Sequence, residues 1–371
     1  MELTVNKTDL VKELGLGQGV IERKTTIPVL ANVLIEAQEG EISLTVTDLE
    51  LGIRTSCPAV VTKSGSTTVP ARRLLDYVRL LPDAEMAVKS LDNDSVSLVC
   101  GRSRTRIAGM SRENFPELPK MPAVLTQIPA SLMANAISKT IFAVASEESR
   151  YTLTGSLLLL KEGSLVMVTT DGHRLAYIEV THKFEGLHGE LRSLLPRKAM
   201  AELLKLATEA GESMAIDFAS DENHLFFRCG RRLLISRKLT GQFPDYERVL
   251  PSEEGVKVAI NREEAVAAIR RVSQFADDRS HAIRFEVESG EVKLISSGSD
   301  VGESEESVPV DYSGDPLKIG FNSQYLLDFL GVAGTENVQF EFVNEESAGQ
   351  LSLLPSPDLY DYRYVIMPMR V

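Results

Sequence analysis

The chain has 371 residues, more than one hydrophobic core ordinarily organises, so two or three domains are expected. Its 43% hydrophobic and 25% charged residues are a globular balance, and a net charge of −13 taken alone argues against nucleic-acid binding. No apolar run approaches the ~20 residues of a membrane span, no secretory apolar stretch follows Met1, and Cys57, Cys100 and Cys229 form no CxxC, all of which point to reduced thiols in a cytoplasmic protein with no membrane partner.

In chain order, a short apolar strand at residues 3–5 leads into an amphipathic helix from Asn6 to about Leu16. Asn6 is a good N-cap, Asp9 lies close to a capping-box position, and Leu10, Val11 and Leu14 form one stripe. Gly15, Gly17 and Gly19 spell GxGxG, but after a helix, whereas the dinucleotide fingerprint is GxGxxG after a strand; a helix C-terminal turn is expected. Residues 32–37 and 42–46 form a hairpin across Gln38-Glu39-Gly40-Glu41, and Asp48 follows. Pro70 opens a second helix marked by Leu74 and Leu75. Strands at 87–88 and 96–100 complete the unit.

The order then repeats. A strand at 126–129 precedes a helix from Ser131 to about Ile141, striped by Leu132, Met133, Ala136 and Ile137. A hairpin at 155–160 and 165–169, Asp171, a helix after Pro196 marked by Leu203 and Leu204, and strands at 214–218 and 225–228 follow. It repeats once more. A strand at 256–260 meets a helix from Asn261 to about Val272, with Glu264 in the first turn and Val266, Ile269 and Val272 in line. Then come a hairpin at 282–287 and 292–296, Asp300, a helix near Asn322-Ser323 marked by Leu326 and Leu327, and strands at 338–342 and 350–354.

Corresponding markers recur at 123 to 129 residues, and the first two units both end in Phe-Pro-acid, at Phe115-Pro116-Glu117 and Phe243-Pro244-Asp245. Residue identity between units is low; what repeats is the pattern. The expected fold is α+β, with three repeated domains at residues 1–122, 123–251 and 252–371, each with two helices packed on antiparallel sheets. The connectors at 116–122 and 244–251 are short and Pro-rich, which favours a fixed, curved array over beads on a string.

Positive charge gathers on particular elements. Arg72, Arg73 and Arg79 lie on the second helix, Arg197, Lys198 and Lys205 on the fourth, and Arg262, Arg270 and Arg271 on the fifth. Arg23-Lys24 lies in a loop and Arg102, Arg104 and Arg106 in a hairpin, while acid gathers at 302–306 and 344–346. Two readings stand: ordinary solvated helix faces, or a basic lining in an acidic body that touches phosphates without reading bases.

Four stretches resemble the bacterial DNA polymerase III beta subunit family: Thr169-Thr170-Asp171-Gly172-His173-Arg174-Leu175-Ala176, Phe243-Pro244-Asp245-Tyr246 with Arg248-Val249, Thr68-Val69-Pro70-Ala71-Arg72, and the terminal Val365-Ile366-Met367-Pro368-Met369-Arg370-Val371. They span the chain. The resemblance implies the DNA clamp architecture, a head-to-tail homodimer whose twelve helices face duplex DNA without sequence specificity. It implies a processivity factor, opened by an ATP-driven clamp loader, that tethers DNA polymerases and repair proteins through their short clamp-binding peptides. No cofactor and no catalysis are implied. Carried over by position, the peptide pocket comprises Arg150, Leu153, Thr170, Gly172, His173, Arg174, Leu175, Pro244, Arg248, Val249, Val365, Ile366, Met367, Pro368, Met369 and Arg370. Lys24, Arg72, Arg73 and Lys198 would touch DNA, and Phe275 would meet Ile107 across the dimer; a place in its own domain's core is an equal reading for Phe275. Met367 and Met369 suit a surface that accepts varied apolar anchors, and the apolar terminus must pack, bind something, or do both. Three departures stand out. Thr152 replaces a common aromatic, Val371 ends the chain where Leu is usual, and the segment 353–363 looks long.

Two rival classes remain. For an enzyme, there is no GxSxG, no P-loop, and no metal spacing among His173, His182, His188, His224 and His281. Asp171 beside His173 reads as turn chemistry before acid–base chemistry. The other rival is a DNA-independent protein-interaction scaffold.

Overall fold

The computed structural model describes residues 1–371 except 23–24, 147, 252–254, 299–301 and 371, and the side chains of 148 and 149. Lys24, Asp300 and Val371 therefore lie outside the described residues.

The helices are α1 Lys7–Leu16, α2 Ala71–Leu80, α3 Ala130–Ser138, α4 Arg197–Ala210, α5 Arg262–Val272 and α6 Ser323–Ala333. Asn6, Asn261 and Asn322 cap α1, α5 and α6. Each side-chain oxygen accepts from two first-turn N–H groups: Thr8 and Asp9 at 2.8 and 3.4 Å, Glu263 and Glu264 at 3.0 and 3.1 Å, Gln324 and Tyr325 at 2.9 and 3.2 Å. A helix start otherwise leaves those donors unpaired. α2 and α4 instead follow Pro70 and Pro196. α3 stops short of Ile141, because the Thr140 hydroxyl donates back to the Ala136 carbonyl at 2.8 Å and a 3-10 turn, Ile141–Ala143, takes over. The GxGxG closes α1. A side chain on Gly17 would collide with Val46, and one on Gly19 with Glu202 of α4, so these glycines serve close packing.

The expected hairpins form: Asn32–Gln38 with Glu41–Thr47, Gly155–Lys161 with Ser164–Thr170, and Ala282–Glu288 with Glu291–Gly298. Each gains a third strand that the apolar pattern does not single out, Leu51–Lys63, Arg174–Thr181 and Gly302–Pro309. Asp48 and Asp171 sit in the turns before two of them. Asp48 Oδ1 accepts from the Glu50 and Leu51 N–H groups at 2.9 and 2.7 Å. Asp171 Oδ1 accepts from those of His173 and Arg174 at 2.9 and 3.1 Å. At these two positions the recurring aspartate is thus turn chemistry.

Contacts divide the chain into two units that cut through the repeat, Met1–Ala134 with Lys198–Lys238, and Asn135–Arg197 with Leu239–Val371. The first holds a twelve-stranded sheet. Its long strand Leu51–Lys63 pairs with Arg232–Arg237 near its start and with Glu2–Asn6 near its end. The second holds an eight-stranded sheet in which Arg174–Thr181 pairs with the final strand Tyr360–Ile366. A four-stranded sheet, with Gly302–Pro309 on one edge, completes that unit. Each large sheet therefore joins strands of consecutive repeats. The final strand also pairs with Gly349–Leu354. The apparently long segment at 353–363 is mostly strand, with a connection only at 355–359.

Candidate functional site

The residues expected at one pocket fall in three places within the second unit. Leu153, Leu175 and Val365 are buried in an apolar cluster with Ala145, Val168, Tyr177, Phe243 and Tyr246, and Val249 packs against it. Phe243 and Tyr246 were not among the expected pocket residues, although both lie in the Phe-Pro-Asp-Tyr motif beside Pro244. Thr170, Gly172 and His173 form the turn at the strand end: Gly172 has φ +90°, and a side chain there would collide with the Arg150 guanidinium. Met367 is 38% exposed, and its N–H donates to the His173 carbonyl at 2.9 Å. Pro244 and Arg248 are exposed, with Arg248 held 2.7 Å from Asp245, while Ile366 is buried opposite Arg174 in the sheet.

The second place is polar. Arg150 donates to the Asp171 carbonyl. Arg174, only 9% exposed, stands on the sheet face opposite Leu175, as alternate strand residues do. Its Nε lies 3.0 Å from Asp171 Oδ2, its Nη1 2.6 Å from Asp328 Oδ2 of α6, and its Nη2 donates to the Phe142 carbonyl at 2.7 Å. Its guanidinium carbon lies 4.2 Å from the centre of the Tyr325 ring. Arg174 braces the turn from behind rather than lining the apolar cluster. The third place is a separate cavity of about 560 Å³, where Pro368, Met369 and Arg370 meet Arg284, Lys318 and Glu346. The Met369 N–H donates to the Gly320 carbonyl at 2.8 Å.

The basic residues differ in availability. Arg72 and Arg73 are exposed in the first turn of α2, whose Ala71, Leu74, Leu75 and Val78 are buried. Lys198 of α4 is already engaged: it donates to the Val20 carbonyl at 3.0 Å, pairs with the Asp48 carboxylate, and lies 3.7 Å from Glu22. Ile107 is buried at the end of Ser103–Ile107, an edge strand. Phe275 is half-buried, its ring 3.8 Å from where a side chain on Gly302 would begin. Leu80, at the end of α2, is 86% exposed.

Family models for the N-terminal, central and C-terminal domains of the DNA polymerase III beta subunit match residues 1–119, 127–245 and 247–370. The chain is 35% identical over 376 residues to the beta sliding clamp of Pseudomonas putida, with 100% of both chains covered. It is 33% identical over 373 residues to that of Chlamydia muridarum, covering 100% of this chain and 99% of the relative. Among solved structures, the DNA polymerase III subunit beta of Pseudomonas aeruginosa matches with a TM-score of 0.92 at 34% identity, both chains covered in full. A sliding clamp from the same organism bound to griselimycin matches at 0.93 and 34%, again in full. With three consecutive family matches and full-length relatives above 30% identity, this chain belongs to the DNA polymerase III beta subunit family, the bacterial sliding clamps.

Proposed function

We infer that this chain is a non-catalytic processivity factor of DNA replication that acts in the cytoplasm as a head-to-tail homodimeric ring around duplex DNA. The observation that carries the ring is a pair of edge strands of opposite charge. Ser103–Ile107 closes one edge of the twelve-stranded sheet, with Arg102 beside it and Arg104 and Arg106 exposed along it. Gly302–Pro309 closes one edge of the four-stranded sheet, with Glu303 and Glu305 exposed. An unpaired edge is a template for another strand. Pairing one copy's basic edge with the next copy's acidic edge gives a heterologous contact with opposite charges facing. The half-buried Phe275 and the exposed Leu80 supply its apolar part, whereas Ile107, buried within its own copy, only ends the basic edge strand.

Within such a ring, Arg72 and Arg73 contact phosphates without reading bases, so sliding costs little. Lys198 reaches DNA only by releasing Asp48. The apolar cluster under Leu153, Leu175 and Val365 takes the peptides of polymerases and repair proteins, and a clamp loader opens the ring.

Light scattering at micromolar concentration tests the ring: a mass near twice 40.8 kDa is expected. Arg104→Glu with Arg106→Glu should give monomers, and mixing that variant with Glu303→Arg, Glu305→Arg should restore pairing. A monomer at every concentration rejects the ring. Retention on nicked circular DNA, lost on linearisation, separates a topological clamp from a scaffold that never holds DNA.

A further inference from the structure

Consecutive repeats meet at two joints, one inside each unit, built on one plan. At the first, Leu51–Lys63 pairs with Arg232–Arg237; at the second, Arg174–Thr181 pairs with Tyr360–Ile366. The turns before them match bond for bond. The Thr47 hydroxyl donates to the Leu51 carbonyl at 3.0 Å, and the Thr170 hydroxyl to that of Arg174 at 2.6 Å. The Arg237 N–H donates to the Glu50 carbonyl at 2.7 Å, as the Met367 N–H does to that of His173. From there the joints part. Four residue pairs, Leu51–Arg54 against Leu233–Ser236, make the first ladder, and seven, Arg174–Val180 against Tyr360–Ile366, make the second. Behind the second, the buried Tyr362 and Tyr364 stack on Phe329 of α6, with ring centres 5.6 and 5.3 Å away. Their hydroxyls donate to the Lys139 and Tyr325 carbonyls at 2.8 and 3.0 Å. The Lys139 ammonium, 6% exposed, donates at 3.0 and 3.3 Å to the Val332 and Ala333 carbonyls at the end of α6, where a cation suits the helix dipole. Counting back from the matched N–H groups, Arg232 stands in the first joint where Tyr362 stands in the second. It holds Glu13 and Glu209, each at 2.8 Å, and at 14% exposed it is better shielded than Arg237 and Glu50, whose side chains are 55% and 61% exposed.

We propose that the first joint is a compliant hinge, which opens locally at lower cost than the second, while the second holds its two repeats as one piece. Local opening is cheapest where buried apolar contacts are few and bonds lie open to water, and it approaches the cost of global unfolding in a packed core. The first joint has the shorter ladder and leans on charges that water and salt weaken. The second adds stacked rings and bonds shielded from solvent. In the ring inferred above, distortion within each subunit would collect at the first joint; that consequence rests on the ring, whereas the inequality of the joints does not.

The test is native-state hydrogen exchange of the full chain, read by mass spectrometry on fragments spanning both ladders. Amides that bond across the first joint should exchange about tenfold faster than those across the second. Arg232→Gln should speed the first ladder severalfold more and leave the second unchanged. Lys139→Met, of similar length without the charge, should speed the second and leave the first unchanged. The strands Asn32–Gln38 and Gly155–Lys161, one in each unit, should keep their rates and so report an intact fold. Equal rates at the two ladders of the unmodified chain, or a slower first ladder, overturn the hinge. So does an Arg232→Gln that speeds both ladders alike, since opening is then global. Light scattering on the same sample reads the ring separately: a monomer with unequal ladders rejects the ring and keeps the hinge.

Discussion

Two joints between consecutive repeats, one in each unit, occupy the same place in the pattern and use different chemistry. In the first unit, Lys198 near the start of α4 reaches the Asp48 turn and the Val20 carbonyl, just past α1. In the second, Asp328 on α6 meets Arg174 beside the Asp171 turn, and Arg174 also holds the Phe142 carbonyl just past α3. Each joint thus ties a turn and a post-helix loop of one repeat to the second helix of the next. The difference is burial. Lys198 is a 38% exposed point charge, easily exchanged with water or phosphate. Arg174 is 9% exposed, planar, stacked on Tyr325 and fixed by three acceptors. One joint can trade its cation, and the other cannot without collapse.

That contrast is open to direct attack. Arg174→Ala strips the cation from two carboxylates and should cost about 3–5 kcal/mol, the usual penalty for breaking a buried pair; a denaturant midpoint shift assigned to the second unit measures it. Gly17→Ala pushes a methyl into the stiff, β-branched Val46 and should cost roughly 1–3 kcal/mol, seen as a midpoint shift of the first unit. Lys198→Ala should cost no more than about 1 kcal/mol, because its pair is partly exposed. A Lys198 loss as large as that of Arg174 would break the comparison. For peptide affinity, Met367→Ala should weaken binding severalfold and Met369→Ala hardly at all, since only Met367 adjoins the cluster; equal losses would place both cavities in one site. The smallest effect concerns the thiols. Burial, then the charges of Glu13 and Asp9, push Cys57 up to about 12 from 9.0. The folded state thus holds that proton more tightly, so stability should be full below pH 9 and decline as pH rises towards 12. Native-state labelling by a thiol reagent at pH 8 should be slow, and denaturation should release it.

Much of the fold is legible in the sequence because helix caps, hairpin turns and stripes are local. Asn6, Asn261 and Asn322 announce their helices within a few residues. The strand Gly302–Pro309 is not legible: only its Val308 is buried and its exposed glutamates hide the alternation, which is what an edge strand looks like. For the candidate site, the motif around Asp171 marks the turn, and Leu175 and Val365 mark an apolar face. Arg174's role is hidden, because Asp328 is 154 positions away and only the tertiary fold brings it near. The separation of Met369 from Met367 is equally hidden, since two residues of extended chain suffice to turn from one cavity to the next.

The final strand carries a mechanical consequence. Tyr360–Ile366 lies between Arg174–Thr181 and Gly349–Leu354, hydrogen-bonded on both sides. A tug on Val365 along the strand therefore loads both ladders in shear, many bonds at once, instead of peeling them singly. A moving machine leashed to that strand would strain its own grip long before it unravelled its anchor.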